Sequence, residues 1–392
     1  MQPSIRHMRM FQTLAETHSV TRTAEICHVS QPAVTQAMNK LERDARQPLF
    51  QRSPQGIFPN EAGDMMVRRT RRALSFLDAA MVDMARAIRF QATRPQLQAL
   101  VAVTETENFT LAARQLGLAQ PTVHRSTSML EQAAGVQFFE RTAHGLIATR
   151  MARQLAQAAR LAFAEMDQAE AELAALGGRE VGRIVIGALP LSRSTLLPGA
   201  MLRFRAAHPG IPFDVIDGRY DELLAGLRRG EIDIVIGALR IPSPIEDIHQ
   251  ERLFDDSVVI VAGRGHPLLM AKNVSPADLA AYPWVIARPG APIRTAVEAL
   301  LPAEVIGSAI ITSSVILLRE ILRESNCLGA LSRMQALPEG ESSALAVVPL
   351  AVPESLRPIG ITTRAGWEPT AAQSRFLDIL RISASGLDAC DP

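Results

Sequence analysis

Ser30-Gln31-Pro32-Ala33-Val34-Thr35-Gln36-Ala37-Met38-Asn39-Lys40-Leu41-Glu42 is the stretch on which the reading of this chain turns. Ser30 suits a helix N-cap, and Pro32 falls in the first turn, where its missing N–H does no harm. Val34, Ala37, Met38 and Leu41 recur at helical spacing and form an apolar face. Opposite them lie Gln31, Thr35, Gln36, Asn39 and Lys40. These are mostly side chains that donate and accept, as reading base edges in a major groove requires. A short helix over residues 21–27 and a tight turn at His28-Val29 complete a helix-turn-helix pattern. The stretch recurs: Gln120-Pro121-Thr122-Val123-His124-Arg125 through Leu130-Glu131 repeats Gln31-Pro32 through Leu41-Glu42, 89 residues further on. The register holds without a gap from Thr21/Thr110 and Ala24/Ala113 through Phe50/Phe139, Arg52/Arg141 and Gly56/Gly145, which marks a duplicated unit.

At 392 residues the chain has room for two or three domains with their own cores. The whole-chain net charge of +1 points to neither disorder nor nucleic acid, but its distribution is uneven. Residues 1–95 carry 14 Arg and Lys against 8 Asp and Glu; residues 96–178 carry 6 against 8. The first repeat thus has the basic footprint of a DNA-binding unit and the second does not. Cys27, Cys327 and Cys390 are scattered, which implies reduced thiols rather than a disulfide framework. No Cys/His cluster has metal-ligand spacing. No signal peptide or apolar run of membrane-spanning length is visible, so the expected compartment is the cytoplasm, without a membrane partner.

Residues 1–60 read as a winged helix-turn-helix, with Leu49–Arg52 and Gly56–Phe58 as a two-stranded wing and Ser53-Pro54-Gln55-Gly56 as its turn. A helical pattern over residues 61–92, within a linker running to 94, carries Arg68, Arg69, Arg71 and Arg72, read as a solvated or phosphate-near face. A second winged unit spans 95–149. A long helix, 150–176 in a segment ending at 178, stops at Gly177-Gly178. After this the period changes. Strand-like runs at 183–187, 213–216, 232–237, 258–262, 284–287 and 309–312 alternate with helical segments, implying an α/β domain over 179–392 with largely parallel sheets. Its length suits two lobes, lobe I at about 179–256 and 362–392 and lobe II at about 257–361, with a cleft between them.

The chain resembles the LysR-type bacterial transcription regulators over nearly its full length. The N-terminal signature is Ala24, Val29-Ser30-Gln31-Pro32-Ala33-Val34, Leu41-Glu42, Leu49-Phe50, Arg52 and Glu61-Ala62-Gly63. The C-terminal part shows Gly182-Arg183-Ile184-Val185-Ile186-Gly187, Leu196-Leu197-Pro198, His208-Pro209, Gly230-Glu231-Ile232-Asp233 and Gly265-His266-Pro267-Leu268. Leu189 to Ser194, Gly237 to Arg240 and Arg357 to Thr362 are most similar to the branch of galactose-binding-protein and protocatechuate-type aromatic-acid regulators. The resemblance implies a multidomain fold: α-rich winged heads with long linker helices, then a two-lobed periplasmic-binding-protein-like effector domain. It also implies double-stranded DNA as a partner, a small-molecule effector, and a dimer or tetramer built on antiparallel linker helices, chiefly 150–176, with RNA polymerase a further candidate partner. The family has one winged head; this chain has two. Copy one departs at Thr23, Cys27 and Ala45-Arg46. Copy two has Ala119 and His124 where the family has serines.

Gln31, Pro32, Thr35 and Gln36 are the base-proximal candidates, with Ser30 and Arg52 for phosphate and wing contact. Gln120, Thr122, His124, Arg125 and Arg141 are their equivalents in copy two, which serves either DNA or dimer packing and partner contact. Ser192-Arg193-Ser194 follow the first strand of the α/β domain and precede a helix, a combination that can cradle an anion. Arg240 ends another strand, Arg288 and Arg294 flank Pro289-Gly290, and Thr312 and Ser313 close a further strand. The arginines favour a carboxylate or sulfonate effector, a ring acid included; each also suits a surface ion pair. Arg219 and Tyr220 stand where relatives place a small hydroxyl. Ligand closure of the cleft is expected to shift the heads and alter promoter binding. A solute-binding protein or enzyme is the rival class. Against an enzyme, no nucleophile–base pair, metal spacing or phosphate loop stands out, and no cofactor is expected.

Overall fold

The computed structural model describes residues 3–143, 145–194, 196–336, 344–353 and 355–388; Cys390 lies outside them. The chain divides into two compact units, Met1–Arg183 with Arg229–Glu231, and Ile184–Arg228 with Ile232–Pro392.

In the first unit, α1 (Ile5–Thr17), α2 (Val20–Ile26) and α3 (Gln31–Ala45) precede a hairpin of β1 (Phe50–Ser53) and β2 (Gly56–Pro59), then α4 (Glu61–Ala80) and the single turn α5 (Ile88–Gln91). The pattern repeats as α6 (Arg94–Thr106), α7 (Phe109–Leu116), α8 (Gln120–Ala134), β3 (Phe139–Thr142), β4 (Gly145–Ala148) and α9 (Arg150–Leu176). The Ser30 hydroxyl accepts from the Ala33 N–H and so starts α3, whose buried stripe is Val34, Ala37, Met38, Leu41 and Ala45. In α8 the corresponding stripe is Val123, Thr127, Leu130, Ala133 and Ala134. Glu42 fixes the wing to its helix: Oε1 accepts from the N–H of Leu49 at 2.9 Å and Phe50 at 3.3 Å. Glu131 does the same for Phe138 and Phe139 at 2.7 and 3.3 Å. Gly63 is needed for close approach, since a Cβ there would stand 2.0 Å from the Leu49 carbonyl oxygen. In the second copy Ala152 occupies that position.

Two expectations change here. The helical pattern over 61–92 breaks after Ala80, because Met81, Met84 and Ile88 reach the core by turning back. The Ala85 N–H then donates to the Ala134 carbonyl at 2.9 Å, so tertiary burial outweighs continued local helix. The arginine cluster is also not one solvated face. Arg68 and Arg71 are exposed, but Arg69 is 2% exposed and lies against α9. Its guanidinium donates to Glu172 at 2.6 and 3.0 Å, Gln168 at 2.8 Å and Glu165 at 3.0 Å, and Arg72 donates to Glu165 at 2.9 Å. Burial works against the charge on Arg69, and the hydrogen bonds and charges of Glu172 and Glu165 outweigh it, raising its pKa. Arg69 meets Glu172 while Arg72 meets Glu165, so α4 and α9 run antiparallel within one chain. One apolar core extends from the first winged unit through these two helices into part of the second, from Phe11, Leu41 and Leu49 through Met66 and Leu77 to Leu130, Phe138, Leu155 and Leu173, and the second unit has a smaller cluster besides.

The second unit holds strands β5 (Ile184–Ala188), β6 (Phe213–Ile216), β7 (Ile234–Ala238), β8 (Ile248–Asp256), β9 (Val258–Gly263), β10 (Trp284–Ile286), β11 (Ile310–Ile311), β12 (Leu328–Ser332), β13 (Leu345–Val347) and β14 (Arg357–Arg364). Helices α10 (Pro190–Ser194) and α11 (Leu196–Ala207) follow β5, and α12 (Tyr220–Arg229) follows β6. Two five-stranded sheets result, ordered β6-β5-β7-β14-β8 and β11-β10-β12-β9-β13. The sheets are mixed rather than largely parallel. β6-β5-β7 and β11-β10-β12 are parallel, while β14 and β9 pair antiparallel with both of their neighbours. The chain crosses between sheets after β8 and returns before β14, and the strands at these crossings run against their hosts. β14 lies wholly in the first sheet, so the return precedes Arg357 rather than falling near 362.

Candidate functional site

On the first head, α3 turns its apolar stripe inward and leaves Gln31, Pro32, Thr35 and Gln36 exposed, with Arg52 exposed on β1. Thr35 Oγ1 donates to the Gln31 carbonyl at 3.2 Å, so its remaining valence faces outward. Ser30 is exposed, but its hydroxyl is already engaged in the cap at 3.4 Å. Lys40, on the same polar face, pairs with Asp44 at 3.0 Å. Thr23, buried where a small apolar side chain would fit, is satisfied by the Ser19 carbonyl at 2.8 Å and Thr17 at 2.9 Å.

The second head presents Gln120, Thr122, His124 and Arg125 on α8 and Arg141 on β3, all exposed. Ala119 supplies no side-chain cap. The His124 ring lies 5.1 Å from that of Phe109, which fixes its direction. Arg52, Arg125 and Arg141 have no carboxylate partner among the described residues.

In the second unit, the carboxyl ends of the parallel strands β6, β5 and β7 bring together residues 189–194, 217–220 and 238–240. This is where open α/β sheets place ligands. The expected residues then divide. Ser192 is fully buried, and its hydroxyl donates to the carbonyls of Leu189 at 2.8 Å and Ile236 at 3.2 Å, so it clamps strand ends rather than facing a ligand. Arg294 is buried too, held by Glu298 at 2.6 Å and the Ala287 carbonyl at 3.0 Å, a structural role. Arg193 pairs with Asp217 at 3.0 Å, and the Ser194 hydroxyl donates to Leu191 at 3.1 Å.

Arg240 is different. It is half-buried, stacks over Tyr220 at 4.5 Å, and has no ion pair among the described residues. Gln250 on β8 fixes its backbone, accepting from the Arg240 N–H at 3.0 Å and donating to its carbonyl at 2.9 Å. Burial lowers the pKa of Arg240, Tyr220 partly offsets this, and Arg357 adds to it. The Tyr220 hydroxyl is buried without a hydrogen-bond partner among the described residues. Arg288, Thr312 and Ser313 gather at the carboxyl ends of β10 and β11, with Arg288 and Ser313 exposed. Thr312 Oγ1 accepts from the Ser314 N–H at 3.0 Å. At the end of β12 the buried Ser332 hydroxyl lacks a partner among the described residues. Gln250 and Ser332 escape sequence reading because they lie on β8 and β12, strands the periodicity did not reveal. Among the described residues no helix is long and apolar enough to cross a membrane, and no cluster of three or more His, Cys, Asp or Glu could hold a metal.

The chain is similar to known proteins in both of its parts. The model of the LysR substrate binding domain matches residues 177–385, and that of the bacterial regulatory helix-turn-helix protein, lysR family, matches twice, at 5–64 and 95–153. The HTH-type transcriptional regulator GalR of Pseudomonas putida is 33% identical over 391 residues, 97% of each chain. The HTH-type transcriptional regulator PcaQ of Agrobacterium fabrum is 28% identical over 295 residues, 74% of this chain and 94% of its own. A full-length OxyR variant from Pseudomonas aeruginosa has a similar fold, with TM-score 0.53 at 21% identity, covering 74% of this chain and 98% of its own.

Proposed function

The chain belongs to the LysR family of DNA-binding transcription regulators with effector-binding domains, and on that premise we propose how its residues divide the work. The first winged head reads base edges through Gln31, Pro32, Thr35 and Gln36, with Arg52 on the wing at a phosphate. The observation that carries this is the exposed, hydrogen-bond-capable face of a Ser30-capped α3 within the basic part of the chain. The second head presents Gln120, Thr122, His124, Arg125 and Arg141 to DNA from an equivalent fold. Footprinting beside the chain's own gene, at stated salt, tests this. Wild-type protection is expected, and Gln31→Ala with Arg52→Ala is expected to weaken it. Unchanged protection in that variant would remove the first head from the interface.

The effector reading rests on Arg240. A desolvated guanidinium stacked on a tyrosine ring whose buried hydroxyl has no partner among the described residues suits an organic anion, and an aromatic carboxylate above all. Arg288, Thr312 and Ser313 supply the other lobe's wall. Binding biases the two lobes toward a closed state and so alters promoter binding; this requires unequal affinity for the two states. Titration with benzoate-type ring acids, followed by change in the footprint, checks the reading. Arg240→Met is expected to abolish the response while leaving DNA binding intact. A full response from Arg240→Met would place the anion elsewhere.

A further inference from the structure

The two long helices pair within the chain, and their contacts with the heads are reciprocal. The Gln47 side chain, just after α3, donates to the Leu173 carbonyl near the end of α9 at 2.8 Å. Ala85, just after α4, donates its N–H to the Ala134 carbonyl at the end of α8 at 2.9 Å. At the repeat shift of 89 residues, Leu173 corresponds to Met84, Ala85 to Ala174, and Ala134 to Ala45. Each reading helix is therefore held at its C-terminal end by the other repeat, α3 by the end of α9 and α8 by the turn that follows α4. Contacts of the form i-to-j and j-to-i are the mark of a two-fold arrangement.

The pairing is nevertheless between unlike helices. The repeat counterparts of Arg69 and Arg72 are Ala158 and Leu161, and those of Glu165, Gln168 and Glu172 are Phe76, Ala79 and Asp83. Two copies of α9 would bury Glu165, Gln168 and Glu172 against alanine and leucine. Two copies of α4 would set Arg69 and Arg72 against Phe76 and Ala79. Either leaves charge buried without its partner, while α4 on α9 satisfies every member. The connection from α4 into the second head covers residues 81–93 and is itself anchored, with Met81, Met84, Ile88 and Ala92 buried.

We propose that a single chain is a closed, two-headed DNA clamp, with α3 and α8 displayed as a pseudo-two-fold pair on the α4–α9 hairpin, so that one chain occupies both halves of an operator. The two reading faces differ, Gln31, Thr35 and Gln36 against Gln120, His124 and Arg125, so the halves of that operator are unlike in sequence. This deepens the reading of both heads as DNA-binding and rests on it.

Two measurements on the full-length chain test the clamp. In the first, the footprint on the chain's own promoter region is compared for wild type, Gln31→Ala with Gln36→Ala, and Gln120→Ala with Arg125→Ala. Each double variant is expected to lose protection of a different half, with affinity for the intact site reduced by about tenfold or more. Loss only with the first variant would overturn the clamp and leave the first head as the reader. No protection by wild type would instead overturn the underlying DNA reading.

The second measurement asks whether the pair closes in one chain. Arg69→Glu is expected to abolish the two-part footprint, and adding Glu172→Arg in the same chain, with Glu165 kept for Arg72, is expected to restore it. Mixing chains that carry Arg69→Glu alone with chains that carry Glu172→Arg alone is expected to restore nothing. Restoration by mixing would show α4 pairing with α9 of another chain and overturn closure within one. If the same-chain double variant binds no DNA, the neutral same-chain pair Arg69→Gln with Glu172→Gln, compared with Arg69→Gln alone, gives the same reading. Failure of both same-chain rescues overturns the ion cluster as the closing element.

Discussion

The two heads are built on one plan and have diverged in opposite ways. The first keeps a Ser30 cap, a basic surround and a reading face of amides and hydroxyls, but carries a buried hydroxyl at Thr23 and a glycine forced by contact at Gly63. The second has lost the cap at Ala119 and the basic charge, while packing Ala99, Val103, Ala112, Ala113 and Val123 into a core of its own. What both keep is the glutamate that ties wing to reading helix. Surface chemistry is free to drift after duplication, whereas a carboxylate accepting two backbone N–H groups is not.

The largest expected effect breaks the link between the heads. Arg69→Met leaves the half-buried Glu172 without its cation and Glu165 with Arg72 alone, and should destabilise the first unit by about 3–5 kcal/mol. Urea unfolding followed by helical circular dichroism would show an earlier first transition. An unshifted midpoint would mean the cluster contributes nothing. Its counterpart Ala158 is uncharged, so Ala158→Met should act through packing alone.

The next sharpens the comparison of reading faces. Gln36→Ala should cost roughly 1–3 kcal/mol of base discrimination, and Arg52→Ala should lower the salt slope of binding by about 1 without changing sequence preference. Running Arg125→Ala and Arg141→Ala beside them asks whether the second head bears comparable contacts. Equal affinities and slopes to wild type would set that head apart from the first.

The caps come next. Ser30→Ala should destabilise the first head by about 1 kcal/mol, and Ala119→Ser should stabilise the second by about 0.5–1 kcal/mol. Thermal melts of the two variants should move in opposite directions.

Smallest is a pH effect confined to the first head. Burial, then the charges of Lys40 and Arg6, lower the pKa of His7 below its ordinary 6.5. The unfolded chain therefore takes up a proton before the folded one. The stability His7 permits is fully present above about pH 6.5 and is lost as pH falls through the lowered folded value. The repeat counterpart is Gln96, which does not titrate in this range. His7→Gln should flatten the pH dependence of the melt between about pH 7 and 5, and an unchanged slope would assign it to other groups.

Much of this was legible in the chain itself. The spacing of Val34, Ala37, Met38 and Leu41, the Ser30-Gln31-Pro32 start and the Gly56 turn each encode local geometry, so α3 and its wing could be read directly, and the gapless repeat carried that reading to α8. The same holds for β5 and β9, whose apolar runs announce strands buried on both faces. Tertiary structure decided what depends on distant partners. Arg69 sits in a run of four arginines that looks like solvated surface, and only Glu165 and Glu172, roughly a hundred residues away, make it the centre of a buried cluster. Ser192 and Arg294 looked like ligand groups until the carbonyls of Leu189, Ile236 and Ala287 claimed them. Arg240 kept its candidacy because no carboxylate among the described residues pairs with it. Periodicity reports which face of an element is buried; it carries no information about which opposite charge or carbonyl will be folded against a polar side chain, and that pairing is what separates a structural arginine from one left to meet a ligand.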